Sequence, residues 1–300
     1  MKIKYFIIAL LLIISANSYS QFDKPVLQVG LGIVEPFGDM KGTYYRNVQV
    51  GSGGYYLLAP DTNLISNNYG AKTGLYFFGK GKINFDKYNI TRAVGSVSYS
   101  TFNTFESPKN GSIGIRVLNI NNQYDTVLSS AEFNYTFSNF SFGLGLEVSP
   151  LAFTNVFSPY FGASITFNTF NANLSRTENR IDTNRVSFTE FRIGANFDAG
   201  LEAKFNKMFG MVLGVKFDLG NLLLKNTSSG IADRLEWGKS NASLNDEEGF
   251  FYSSMYSPVV SSDVKAYNSK KKEINWGTLY LGINIYFDTE KTPKKKTGKK

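Results

Sequence analysis

The stretch Leu279-Tyr-Leu-Gly-Ile-Asn-Ile-Tyr-Phe287 decides how this chain folds. Leu279, Leu281, Ile283, Ile285 and Phe287 are apolar, and Tyr280, Gly282, Asn284 and Tyr286 lie between them. Side chains of a β-strand point to alternate faces, so the alternation predicts a strand with one apolar face and one face of Gly and polar groups.

The same pattern recurs upstream. Leu27, Val29, Leu31 and Ile33 alternate with Gln28, Gly30 and Gly32, and Leu75, Phe77, Ile83 and Phe85 share one parity with Gly79 and Gly81. Further strands are predicted over 90–103, around Phe161–Phe167, over Phe191–Leu201 and over Phe209–Leu219. Within 131–148 the apolar parity slips at Asn139, from Phe133, Tyr135 and Phe137 to Phe140, Phe142 and Leu144. A β-bulge inside one long strand would explain the slip, and so would a tight turn.

The bulge gives eight strands, joined alternately by short links (86–89, 152–157, 206–207) and long ones (35–69, 106–128, 173–186, 221–273). Short turns at one end and long loops at the other, with an even strand count, mark an antiparallel up-and-down transmembrane β-barrel. Eight strands is the preferred reading. A turn at Asn139 would require another strand, around Ile113–Ile120, and give ten.

Composition agrees with sheet. Among 300 residues there are 26 Phe, 18 Tyr and 28 Gly, a bias toward pleated structure with tight corners. Mean hydropathy is slightly negative, yet a barrel strand offers lipid only every second residue and needs no continuous apolar run. Lys2 and Lys4 precede the apolar stretch Phe6–Ile14, and Ser15–Gln21 then turns small and polar. This is the layout of a secretory signal peptide over 1–20, with Ser18 and Ser20 placed for a cut before Gln21 and Ala16 and Ser18 for one before Tyr19. The nine apolar residues are too few to span a bilayer, which takes about 20.

There is no Cys and no His. Disulfides and thiolate metal sites are thereby excluded, and with His go the commonest metal ligand and the usual near-neutral acid–base group. No cofactor or metal is expected, no serine-hydrolase context is supplied, and the reading is of a protein that is not an enzyme. The net charge of +8 is unevenly placed: the tail 288–300 holds six Lys against Asp288 and Glu290, and Lys2 and Lys4 lie in the leader. The body is close to neutral, which speaks against a nucleic-acid surface.

On the Gly-bearing faces stand Lys72, Lys80, Lys82, Arg92, Arg192 and Lys216 against Glu132, Glu147, Asp198, Glu202 and Asp218. An eight-stranded barrel is only about wide enough inside for its own side chains. Buried charges survive there when paired. The expectation is an interior filled by an ion-pair network, with a narrow polar pore as the alternative. The pairs Gly30/Gly32, Gly79/Gly81 and Gly143/Gly145 are expected to serve close packing across the barrel. Tyr88, Phe105, Tyr160, Phe205 and Tyr286 near strand ends suggest aromatic girdles. Asn245–Gly249 reads as a solvated acidic loop, and Lys270–Lys272 as a charged loop end just outside lipid.

The closing strand, with Tyr280, Gly282, Ile285 and Phe287, resembles the terminal signal of Gram-negative outer-membrane β-barrels, including the eight-stranded, porin-family-like ones. Gly143-Leu-Gly-Leu-Glu147 and Pro159-Tyr-Phe-Gly162 resemble strand segments of the same families. Phe287 departs from the family habit in being followed by the basic tail 288–300. The resemblance covers the mature chain, 21–287, and implies insertion by the barrel-assembly machinery, contact with outer-membrane lipid and lipopolysaccharide, and surface display of loops. An extracellular ligand would then meet the loops 35–69 and 221–273. A soluble lipocalin-like binding barrel is the remaining alternative, and it would turn the apolar parity inward.

Overall fold

The computed structural model describes residues 25–42, 45–50, 55–60, 64–84, 90–104, 111–118, 124–149, 156–178, 181–227, 243–253 and 265–287, some of them by backbone course alone. The expected leader 1–20 and tail 288–300 lie outside the described residues.

The strands are β1 (Val26–Phe37), β2 (Tyr45–Val50), β3 (Tyr55–Pro60), β4 (Lys72–Asn84), β5 (Thr91–Asn103), β6 (Gly111–Leu118), β7 (Tyr124–Val148), β8 (Phe157–Glu178), β9 (Ile181–Lys204), β10 (Phe209–Leu223), β11 (Gly249–Ser253), β12 (Lys265–Ser269) and β13 (Asn275–Tyr286). Eight of them form a closed antiparallel wall in the order β1, β4, β5, β7, β8, β9, β10, β13. The wall closes where β13 pairs with β1 over twelve rungs, from Val26↔Tyr286 to Phe37↔Asn275. The fold is therefore all-β, an eight-stranded barrel. Closure leaves the wall without a free edge along its paired length, so every strand has its backbone partners on both sides.

The outer face is apolar. Leu27, Val29, Leu31 and Ile33 of β1 are exposed, as are Met211, Leu213, Val215 and Phe217 of β10, whereas Gln28 and Asn284 are fully buried inside. This orientation is the reverse of what a lipocalin-like barrel needs. Phe142, Phe167 and Phe191 stack across β7, β8 and β9 on the outer face, with centroids 6.2 and 6.4 Å apart.

The slip at Asn139 has another cause than a bulge or a turn. β7 runs unbroken through it, with Ser100↔Asn139 on one side and Asn139↔Phe170 on the other. Tyr135, Phe137, Asn139, Ser141 and Glu147 all point inward, and Phe140, Phe142 and Leu144 outward. The interior itself changes along the barrel, from aromatic near the long-link end to polar below, and the sequence parity follows that change.

The ten-strand alternative fails in a similar way. A strand does form at 111–118, but β6 pairs with the upper part of β7 beyond the wall, and β5 pairs directly with β7. The long links are hairpins more than loops: β2 with β3, β6 with β7, and β11 with β12. Link 173–186 is no loop over most of its length, in contrast to the sequence expectation: β8 and β9 continue through it to Glu178↔Ile181.

Candidate functional site

The barrel interior is filled in tiers. Nearest the short-turn end, Lys82 of β4 lies 2.9 Å from Glu147 Oε2 of β7 and 2.8 Å from Glu202 Oε1 of β9. Arg92 of β5 reaches the same two carboxylates at 2.8 and 3.0 Å. Arg92 and Glu147 are cross-strand partners, while β4 and β9 stand on opposite walls, so the Lys82–Glu202 pair spans the lumen. All four side chains are at most 2% exposed. Two cations sharing two carboxylates is the arrangement in which burial is least costly, because each charge keeps more than one partner.

Above them Lys80 pairs with Asp198, again across the lumen, and the Tyr280 hydroxyl donates to the same carboxylate. The Tyr160 and Tyr280 hydroxyls lie 2.5 Å apart. These rings occupy space that Gly200 and Gly214 leave open. A Cβ at Gly214 would come within 2.5 Å of the Tyr280 ring and 2.6 Å of the Tyr160 hydroxyl. Lys216 and Asp218 form a third pair at 3.0 Å, with the ammonium 4.4 Å from the Tyr76 ring centroid.

The next tier is aromatic. Trp276 meets Phe102 and Phe170 edge-on at 5.8 and 6.1 Å, and Phe170 stacks on Phe137 at 5.9 Å. Tyr69, from the link after β3, stacks on Phe137 at 5.6 Å and begins the cap over the mouth.

Two links build that cap together. The Arg192 guanidinium, on β9, grips Asp246 through Nε at 2.9 Å and Nη2 at 2.7 Å, and Asn221 Nδ2 donates to Asp246 at 2.8 Å. The Tyr69 hydroxyl donates to the Leu244 carbonyl at 3.0 Å, tying the first long link to the last. Lys272 Nζ donates to Ser269 Oγ at 2.7 Å, to the Ser66 carbonyl at 3.2 Å, to the Lys270 carbonyl at 3.3 Å and to the Asn245 carbonyl. Burial lowers the Lys272 ammonium to about 7. Burial alone would raise the Asp246 carboxyl, but the hydrogen bonds from Arg192 and Asn221 hold it below the usual carboxylate range. Burial also pushes the Tyr69 hydroxyl well up. The Ser269–Lys272 spacing superficially suits a serine nucleophile and its base, yet three backbone carbonyls compete for the same ammonium. The lysine works as a tie.

The structure thus gathers Lys80, Lys82, Arg92, Glu147, Asp198, Glu202, Lys216 and Asp218 inside the barrel and places Arg192 at its mouth. Lys72 departs from expectation: it is exposed at the start of β4, where the register with β5 shifts between Lys72 and Gly74 and carries it off the inward line. The side chain of Glu132 lies outside the described residues. In the closing strand Tyr280 and Gly282 face inward, Ile285 and Phe287 lie on the outward parity, and the Phe287 amide donates to Pro25 at 3.0 Å.

Other expectations need correcting. Gly79 and Gly81 face outward with nothing within 4 Å, so they do not serve interior packing. Tyr160 and Tyr286 are buried in the lumen and are not girdle residues, whereas Phe205 is exposed; Tyr88 and Phe105 lie outside the described residues. Asp246 and Lys272 are buried, not solvated. One signal could have found Lys272: the inward parity of β13, read back through Trp276 and Ile274, lands on it.

A barrel with an apolar exterior and a packed, ion-paired interior has the architecture of the small outer-membrane barrels. No family model matches the chain, and no curated protein matches it. Among solved structures it is similar to Neisserial surface protein A, at 11% identity over 88% of this chain and 97% of that one, with a TM-score of 0.38. It is also similar to Ail, the attachment invasion locus protein of Yersinia pestis, at 11% identity over 89% and 99%, TM-score 0.36. The outer membrane protein OprG of Pseudomonas aeruginosa gives 10% identity over 89% and 97%, TM-score 0.41.

Proposed function

We propose that this chain is a non-catalytic outer-membrane barrel of a Gram-negative bacterium, exported through a leader over 1–20, plugged along its axis, and acting through the hairpins at its long-link end. The observation that supports this most directly is the pairing of an exposed apolar outer face with a lumen occupied by ion pairs, aromatic rings and a cap. Apolar side chains left in water on every wall strand would cost far more than a domain of this size withstands; lipid removes that cost. Contact with lipopolysaccharide and insertion by the barrel-assembly machinery belong to the same reading. So does an extracellular ligand at the links 35–69 and 221–273, which the hydrogen bond from the Tyr69 hydroxyl to the Leu244 carbonyl ties together.

Single-channel recording of the refolded mature protein in a planar bilayer tests the plug. Protein shown to be inserted, by flotation with vesicles, is expected to be electrically silent. Reproducible open steps would overturn the plugged reading in favour of a porin-like channel.

A further inference from the structure

The outer face of the β11–β12 hairpin carries side chains that the fold itself does not use. Gly249↔Ser269, Phe250↔Asn268 and Phe251↔Tyr267 are successive rungs, so alternation sorts the hairpin into two faces. On one face Phe251 is 2% exposed and stacks on Tyr267 at 5.7 Å. On the other Phe250 is 62% exposed beside an exposed Asn268, and Glu248 and Lys270 continue that face, both exposed. A single exposed ring is ordinary on a protein surface. This one forms a wall of an open cleft of about 500 Å³ whose other walls are polar: Asn67, Glu248, Asn268, Lys270 and Lys271. Clefts that take small molecules span about 300–1,000 Å³.

Both long links hold the cleft in shape. The Lys270 amide donates to the Ser66 carbonyl at 3.2 Å, which sets Asn67 of the first link against the last. Behind it Ser269 Oγ accepts from the buried Lys272 Nζ at 2.7 Å and donates to the Asn245 carbonyl. Lys270 Nζ is engaged by Asp39 at 2.7 Å. The side chains of Glu248, Phe250, Asn268 and Lys271 have no partner among the described residues. The unengaged groups are thus an acceptor, an apolar platform, an amide that both donates and accepts, and a donor. An anionic ligand would meet Glu248 and a cationic one Lys271. Sugar hydroxyls donate and accept alike, so they satisfy carboxylate, ammonium and amide together, the first two through charge-assisted hydrogen bonds. The C–H face of a pyranose covers the Phe250 ring, whose π-face carries the complementary partial charge.

We propose that this cleft binds an uncharged saccharide unit of a surface glycan, its ring on Phe250 and its hydroxyls toward Glu248, Asn268 and Lys271. The inference names the class of ligand for the links 35–69 and 221–273 and rests on the membrane reading above, which stands the long-link end among the sugars of lipopolysaccharide.

The test is saturation-transfer NMR of the refolded chain in micelles of an oxyethylene detergent, which carries no sugar of its own. The probes are lactose, diacetylchitobiose, a delipidated and dephosphorylated core oligosaccharide of lipopolysaccharide, and triglycine as a zwitterionic peptide. At least one saccharide should receive saturation at millimolar concentration, and triglycine should not. Phe250→Ala should weaken that binding about tenfold, Phe250→Trp should keep it, and Glu248→Gln with Lys271→Met should weaken it by a similar factor of about ten. The Phe250 ring has no ring partner among the described residues, so Phe250→Ala should leave the thermal midpoint unchanged, and its loss of binding would then not be a loss of fold. Preference for the core oligosaccharide would place the glycan in the cell's own leaflet, and preference for either disaccharide on a foreign surface; both uphold the cleft. Saturation of no saccharide, undiminished binding by Phe250→Ala, or stronger binding of triglycine would overturn it. Flotation with vesicles runs alongside: protein that does not float sinks the membrane reading, and protein that floats but takes up no sugar sinks the cleft alone.

Discussion

A single carboxylate shows how environment decides the worth of an ion pair. Glu202 is 2% exposed and holds Lys82 at 2.8 Å and Arg92 at 3.0 Å, whereas Glu35 pairs with Lys41 at 2.5 Å with the two side chains 37% and 55% exposed. The surface pair has the shorter contact and is still the weaker device. Water screens it, and pairs of that kind contribute about 0–1 kcal/mol. Removing Glu202 leaves Lys82 and Arg92 to share Glu147 in a site closed to water, and breaking a buried pair costs about 3–5 kcal/mol. Glu202→Gln is therefore expected to lower the denaturant midpoint of the detergent-refolded barrel substantially, by an equivalent of about 3 kcal/mol, and Glu35→Gln to leave it within about 1 kcal/mol. Equal losses in the two variants would show that the lumen is wet enough to screen its charges.

At the scale of elements, most wall strands could be read from alternation, because a lipid-facing parity has to be apolar. What could not be read is the inward side of the long links. Asp246 and Lys272 look like solvent residues in sequence and become interior residues only because partners elsewhere in the chain receive them at the mouth, Arg192 and Asn221 for Asp246 and the Ser66 and Asn245 carbonyls for Lys272. The Asn139 slip was visible, but a strand crossing from an aromatic tier to a polar tier has the same signature as a bulge. The cap also carries a pH dependence with a definite sign. Burial lowers the Lys272 ammonium from its ordinary 10.5 to about 7, so the closed cap binds fewer protons than the open one between those values. Closure is therefore strongest above pH 10.5, weakens by up to about tenfold per pH unit on falling to about 7, and loses nothing further to this group below that. The charged groups facing Lys272 are Asp246, Asp39 and Lys270. Of these Asp246, held low by Arg192, loses its contribution only in acid, below the usual carboxylate range. Tyr69, pushed up, does not titrate in the window, and the chain has no His to do so. Hydrogen exchange of amides 64–71 and 243–246, corrected for intrinsic rate, should show protection rising from pH 7 to 10. Lys272→Met should flatten that rise and keep the loss in acid. A rise that survives in Lys272→Met would assign the dependence to another group.

For the whole molecule the tiers act in series. An ion crossing the lumen meets the cap at Arg192 and Asp246, then the ring of Phe102, Phe137, Phe170 and Trp276, then the Lys80–Asp198–Tyr280–Tyr160 crossing, then the four-charge cluster at Lys82. Resistances in series are set by the tightest of them, so opening one tier leaves the others to block the path. The wall does not depend on these side chains for closure, since its backbone hydrogen bonds run the full circle from β1 to β13. Lesions can accordingly be combined without opening the sheet. Trp276→Ala with Phe137→Ala should remain silent in a planar bilayer, and so should Lys82→Ala with Glu202→Ala, which removes one charge of each sign. Conductance steps are expected when both pairs are joined to Tyr160→Ala and Tyr280→Ala and the cap is released by Arg192→Ala. If either double variant conducts alone, the remaining tiers are not plugs and the lumen is a gated pore with one barrier. If the combined variant inserts and stays silent, the wall itself is too narrow to pass an ion, and filling the lumen serves stability alone.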